Sequence, residues 1–318
     1  MECRPRVAQL IIKAKTLAIE ARQPNTVRKY MLYYKKFAQW CKENKQSFLP
    51  ATGCTTGLYL THLIDGRSSI SCFHAAVYSI KWAHGLCGLD DPTLHQLPAL
   101  LIETAKRKLS KQRQPTAPIT TDVLKKLCDN FSDKASIRHR RFISMALLAF
   151  TGFLRIGELR NLRRSDVSFM EDYLKLQIKK SKADVYGRGA EVCIARKGGE
   201  YCPIKNLQLY LLLTENLSPS DLFIFRHLNG PVLTSTNVPI SYGKARSELR
   251  WYLERVLGDA SSFGWHSFRH GGVTAAANKG VPDRLLKAHG RWRSESAKDG
   301  YIHESLQARL SVTNIIDL

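Results

Sequence analysis

"YLKLQIKKSKADVYGRGAEVCIAR", Tyr173 to Arg196, decides the fold class. Leu174, Leu176 and Ile178 alternate with polar residues before a glycine-containing turn, and the alternation resumes after it through Val192 and Ile194. A period of two belongs to half-buried strands, so the stretch reads as a β-hairpin. Its neighbours read differently. Upstream, "SIRHRRFISMALLAFTGF" is a basic-then-apolar helix broken at Gly152, followed by "LRIGELRNLRRSDV". Downstream, "IKNLQLYLLLTE" and "YGKARSELRWYLERVLG" are helical, and "WHSFRHGGVTAAANKG" (Trp265 to Gly280) is a small-residue helix that packs closely. The second part of the chain is therefore mixed α/β around a small β-sheet.

The first hundred residues are helical throughout. In "PNTVRKYMLYYKKFAQWCKEN", Asn25 or Thr26 is placed to cap. Val27, Tyr30, Tyr34, Phe37 and Cys41 then recur at steps of three and four, opposite Arg28, Lys29, Lys35, Lys36 and Lys42. "TGLYLTHLID" is a shorter helix. "SSISCFHAAVYSIKWAHGLCG" opens on a serine cap and ends at Gly85 or Gly88. "DPTLHQLPALLIETAKRKL" must be begun or interrupted by Pro98. Four or five such helices make a small bundle over residues 1–105. Residues 106–117 read as an extended basic linker, carrying Lys106, Arg107, Lys108, Lys111 and Arg113 and closed by two prolines. A second domain fills 118–318.

The 318 residues carry 49 Lys and Arg against 27 Asp and Glu, a net charge of +22. That excess repels itself unless a polyanion is part of the working environment. The cations are spread along the whole chain rather than on one helical stripe, which favours a long nucleic-acid contact over a membrane surface. No apolar run reaches the roughly 18 residues of a membrane span. The N-terminus lacks the apolar core of a secretion signal, so the chain is expected not to be secreted. Eight cysteines form no C-x-x-C pair and read as free, buried thiols without a metal.

Several polar residues fall where chemistry is conceivable. Arg155 directly follows the apolar "MALLAFTGFL", so a near-buried guanidinium there needs an anion, supplied by Glu158 one turn on or by a phosphate. Lys179, Lys180 and Lys182 crowd the hairpin end. His266 and Arg269 share a helix face, with His270 beside them and Gly271 and Gly272 admitting a close backbone or ligand. Trp292 lies 23 residues beyond Arg269, and Tyr301 nine beyond Trp292.

In this order and at these separations, the residues resemble the active-site signature of the tyrosine recombinases, the phage integrase family. "TGFLRIGEL" and "HSFRHGG" are similar to the family's two arginine motifs, "SKADVYGRG" to its lysine hairpin and "GRWRSESAKDGYI" to its nucleophile segment. The wording is most like recombinases of eukaryotic mobile elements of the DIRS or Crypton type. The resemblance covers nearly the whole chain. It implies a helical core-binding domain joined to a catalytic domain of the DNA breaking-rejoining type.

It also implies roles. Arg155, Lys182 (with Lys180 as rival), His266, Arg269 and Trp292 would be catalytic, with Tyr301 the nucleophile. Glu158, His270 and His289 would support them, His289 being too far from Tyr301 to replace Trp292. Lys106, Arg107, Lys108, Lys111, Arg113, Lys179 and Lys180 would bind DNA. Tyr301 would attack phosphorus, leaving a 3′-phosphotyrosyl link and a free 5′-hydroxyl, with neither metal nor cofactor. The expected partners are double-stranded DNA and further copies of the chain, as dimer or tetramer, with the tail after Tyr301 docking on its own domain or a neighbour's. A eukaryotic host would place the protein in the nucleus, and any other host in the cytoplasm. A catalytically silent DNA-binding descendant and a type IB topoisomerase are the competing readings.

Overall fold

The structure is a computed structural model that describes residues 5–110, 116–131, 136–179, 189–302, 310 and 313. Lys111, Arg113, Lys180, Lys182 and nearly all of the tail after Ile302 lie outside the described residues. The chain divides into two compact units, Met1–Arg113 and Gln114–Leu318.

The first unit is helical: α1 (Pro5–Glu20), α2 (Pro24–Glu43), α3 (Gly53–Asp65), α4 (Ile70–Leu86), a 3-10 turn at Pro92–Leu94 and α5 (Gln96–Lys108). α2 packs on α4 and α3 on α5. Phe37, Cys41, Tyr59, Ala76 and Ile80 form one part of the core, and Leu60, Phe73, Val77 and Ala105 the other. α2 starts earlier than its cap signal suggests. Pro24 takes the first helical position and Gln23 precedes it, because proline's fixed φ suits the first turn and its missing N–H costs nothing there. Ser69 caps α4, its Oγ accepting from the Cys72 N–H at 3.2 Å.

The expected linker needs correction at its start. α5 runs on through Lys108, since the fully buried Ala105 still anchors its last turn. Lys106, Arg107 and Lys108 therefore stand exposed on a helix rather than on an extended strap. At the other end, the Ala117 and Ile119 N–H groups already donate to the Ser262 and Ser267 carbonyls of the second unit, at 3.0 and 2.9 Å. The cysteines are also less uniform than expected. Those described are free, but only Cys41, Cys128 and Cys202 are buried, while Cys54, Cys87 and Cys193 are exposed.

The second unit contains α6 (Thr121–Phe131), α7 (Ile137–Thr151), α8 (Ile156–Arg160), β1 (Val167–Phe169), β2 (Tyr173–Ile178), β3 (Ala190–Ala195), α9 (Pro203–Leu213), β4 (Leu228–Asn229), β5 (Val232–Leu233), α10 (Tyr242–Leu257), α11 (Trp265–Ala277), α12 (Asp283–Gly290) and α13 (Glu295–Asp299). β1, β2 and β3 form an antiparallel sheet in that order. The register sets Leu174 opposite Ile194 and Leu176 opposite Val192, which gathers the alternating apolar residues onto one buried face.

α7 is the unit's central element, with α9 and α11 packed on it. Two of its three arginines, Arg140 and Arg141, are buried. Arg141 donates twice to Glu248, at 2.8 and 2.9 Å, and Arg140 donates to Asn206 at 3.0 Å. α11 meets this core by backbone contact. A Cβ at Gly271 would lie 1.8 Å from the Ile119 carbonyl oxygen, and one at Gly272 2.0 Å from that of Phe150. Only glycine permits such an approach. The consequence is that the polar first turns of α11 sit against the end of α7.

Candidate active site

Two chain reversals frame the site. α7 stops at Gly152, and Phe153 follows at φ +47°, a left-handed conformation rare for a side chain of its size. The reversal brings Arg155 to the start of α8, where its backbone N–H donates to Glu158 Oε2 and its Nη1 to Oε1, both at 2.9 Å. α12 stops at Gly290, and Arg291 follows at φ +58°. Trp292 then folds back over Gly290, where a Cβ would fall 1.6 Å from the indole.

α11 supplies the next group. The Arg269 side chain is fully buried. Its Nη1 donates to the Phe153 carbonyl and its Nη2 to the Gly290 carbonyl at 2.6 Å, so it ties the two reversals together. The guanidinium lies 4.2 Å over the Trp292 ring and 5.0 Å over the Tyr301 ring. Burial, then the charges of Arg155 and Arg291, push its pKa down to about 9. It remains a cation at neutral pH.

Tyr301 follows α13. Its backbone N–H donates to the Lys298 carbonyl at 2.8 Å, and its carbonyl accepts from Thr274 Oγ1 of α11 at 3.3 Å. The ring lies 5.2 Å from Trp292 and 4.5 Å from His270. Lys298 is buried among Asp283 (2.8 Å), Asp299 (3.1 Å) and Glu295 (3.5 Å), which clips α13 to α12 and so fixes where Tyr301 begins.

Arg155, Glu158, Arg269, Trp292 and Tyr301 thus belong to one cluster, drawn from four separate stretches of chain. His266 is exposed on the first turn of α11. His270, expected to stand behind it, is the imidazole packed on Tyr301, because positions four apart share a helix face and the chain returns along that face. His289 belongs to the shell behind. Its Nε2 donates to the Thr151 carbonyl at 2.9 Å and its ring meets Phe153 edge-on, with burial lowering its pKa. Lys179 is 61% exposed and pairs with the buried Asp166.

Two groups escaped the sequence reading. Arg291 sits in the polar run "HGRWRSES" and reads there as solvated charge, yet its side chain is only 6% exposed and it bonds Glu158 Oε2 at 2.8 Å. Lys298 was missed for the same reason. The only sequence hint for Arg291 is its place between Gly290 and Trp292. Among the described residues, no group of three or more His, Cys, Asp or Glu side chains could hold a metal, and no helix is long and apolar enough to cross a membrane.

A model of the phage integrase family matches residues 118–307, more than half of the chain and every part of this cluster. The chain belongs to the phage integrase family. As a member, it stands among the site-specific tyrosine recombinases, enzymes that cleave and rejoin DNA. This phage integrase-family chain is 24% identical over 300 residues to an "Integrase/recombinase xerD homolog" of Selenomonas ruminantium, covering 93% of this chain and 86% of that protein. Among solved structures it resembles the XerH site-specific recombinase bound to palindromic difH substrate in a post-cleavage complex. That likeness has a TM-score of 0.65 and 14% identity, over 91% of this chain and 79% of that one. It also resembles the Tn1549 transposon integrase in complex with transposon right end DNA, with a TM-score of 0.62 and 14% identity over 96% and 99% of the two chains. At these identities the likeness establishes the fold, a mainly helical chain with a small sheet.

Proposed function

We propose that this protein is an active recombinase of a mobile element, of the DIRS or Crypton kind, nuclear in a eukaryotic host and assembling as dimers or tetramers on double-stranded DNA. The observation that carries the reading is the stack of Arg269 on Trp292 and Tyr301. A buried cation is held against a phenol, beside two buried donors that no described group accepts, Arg269 Nε and Trp292 Nε1. A phosphate oxygen is the acceptor that suits all of them.

In the proposed reaction, Tyr301 Oη attacks the scissile phosphorus. The Oη–P bond forms as the P–O5′ bond breaks. His266 takes the Tyr301 proton, with His270 supporting the ring. Arg155 and Arg269 donate to the non-bridging oxygens, where charge builds in the pentavalent state. Trp292 can only donate, through its indole N–H. Lys182 returns a proton to the departing 5′-oxygen. The 5′-hydroxyl of another strand then reverses the step, with the bond energy conserved in the phosphotyrosyl link. Exposed Lys106, Arg107, Lys108 and Lys179, with Lys111, Arg113 and Lys180, contact the DNA backbone.

The test uses a pool of randomised duplexes, each carrying one nick. Wild-type protein should leave a covalent adduct after denaturation, and Tyr301→Phe none. Arg155→Ala should lose the adduct but keep most non-specific DNA binding. Binding without any adduct would point to a silent descendant, and an adduct without strand exchange to a topoisomerase.

A further inference from the structure

We propose that Arg291 is a positioning residue that sets both site arginines at once, sharing Glu158 with Arg155 and the Phe153 carbonyl with Arg269. The inference rests on the recombinase reading of this cluster.

Arg291 makes four polar contacts. Nη1 donates to the His289 carbonyl at 2.9 Å and the Gly152 carbonyl at 3.3 Å. Nη2 donates to the Phe153 carbonyl at 3.0 Å and to Glu158 Oε2 at 2.8 Å. A helix cap needs only the first pair. The second pair reaches the two acceptors on which the site arginines depend. Phe153 and Arg291 both take the left-handed conformation, and through it the two reversals face each other.

Charge makes the arrangement consequential. Burial raises the Glu158 pKa, but Arg291 foremost, then the Arg155 N–H and guanidinium, outweigh it and hold the carboxyl below its usual range. Arg269 of α11 also couples to Glu158, whereas His289 of α12 is kept neutral by burial. Without Arg291, Glu158 keeps its burial and loses its strongest cation, so it takes up a proton at higher pH. A protonated carboxyl offers an O–H where Arg155 needs an acceptor. Arg155 would then be released from its orientation.

The experiment compares Arg291→Gly, Arg291→Lys, Glu158→Gln and the Gly/Gln double variant. Glycine suits the left-handed position, so it removes the side chain without new backbone strain. Two readouts are taken: the pH profile of single-turnover adduct formation on the nicked duplex pool, and the Glu158 carboxyl titration in the free protein by NMR. Arg291→Gly should slow adduct formation on the order of 10- to 100-fold. It should also move the acid limb, and the Glu158 titration, upward by about one pH unit or more. Arg291→Lys should restore the acid limb but only part of the rate. The double variant should be slower than Glu158→Gln alone, through the lost Phe153 contact, but by clearly less than the product of the two single losses. An unchanged limb and titration in Arg291→Gly, or additive losses in the double variant, would overturn the proposal. If wild-type protein forms no adduct, the recombinase reading fails separately, and the NMR titration still decides the role of Arg291.

Discussion

The cluster is legible one side chain at a time by asking which polar atoms are satisfied. Arg269 spends both terminal nitrogens on backbone carbonyls and leaves Nε buried, while Trp292 leaves its only donor buried. Trp292→Phe keeps an aromatic ring for Arg269 to stack on, and removes the donor together with part of the buried indole volume. Single-turnover adduct formation should fall on the order of 10²-fold, the usual cost of one preorganised donor. Melting temperature should fall by a few degrees for the lost volume, and non-specific DNA binding should barely change. An unchanged rate would leave Trp292 a packing residue only. At this scale the sequence offered residue types and separations, and the resemblance turned them into roles. Arg291 stayed hidden because burial of a charged residue in a polar run depends on partners distant in sequence, here Gly152, Phe153 and Glu158.

Among the elements, the long patterned ones could be read directly. α7 and α10 carry their apolar periodicity and their serine caps, Ser136 and Ser241, and β2 and β3 carry strict alternation. α12 and α13 are too short for a period to establish them from sequence, and tertiary ties such as Lys298 to Asp283 hold them in place. The twin glycines of α11 were readable as a close approach, though not what they approach. Gly272→Ala sets a methyl against the Phe150 carbonyl oxygen, a backbone atom that cannot move aside as a side chain would. We expect a loss of about 3 kcal/mol, the upper end for overpacking. That corresponds to a melting temperature lowered by roughly 5–10 °C. A melt within one degree of wild type would mean that α11 and α7 can separate without cost.

Across the whole molecule, charge dominates. A net charge of +22 is tolerable on a chain that works against phosphate. DNA affinity measured by fluorescence anisotropy should therefore fall steeply with salt, by about 10³-fold or more between 50 and 200 mM for six or more phosphate contacts. A flat response would detach the charge from DNA binding. The unused donors of the site have a thermodynamic consequence of their own. Arg269 Nε, Arg291 Nε and Trp292 Nε1 are dehydrated in the folded state without compensation from any described group. A tetrahedral or trigonal-bipyramidal oxyanion would supply the acceptor that these donors lack among the described groups. Orthovanadate at about a hundred times its Kd would add about 2.7 kcal/mol, visible as a rise in melting temperature that Arg269→Ala abolishes. No rise in the wild-type protein would mean that these donors do not serve an anion.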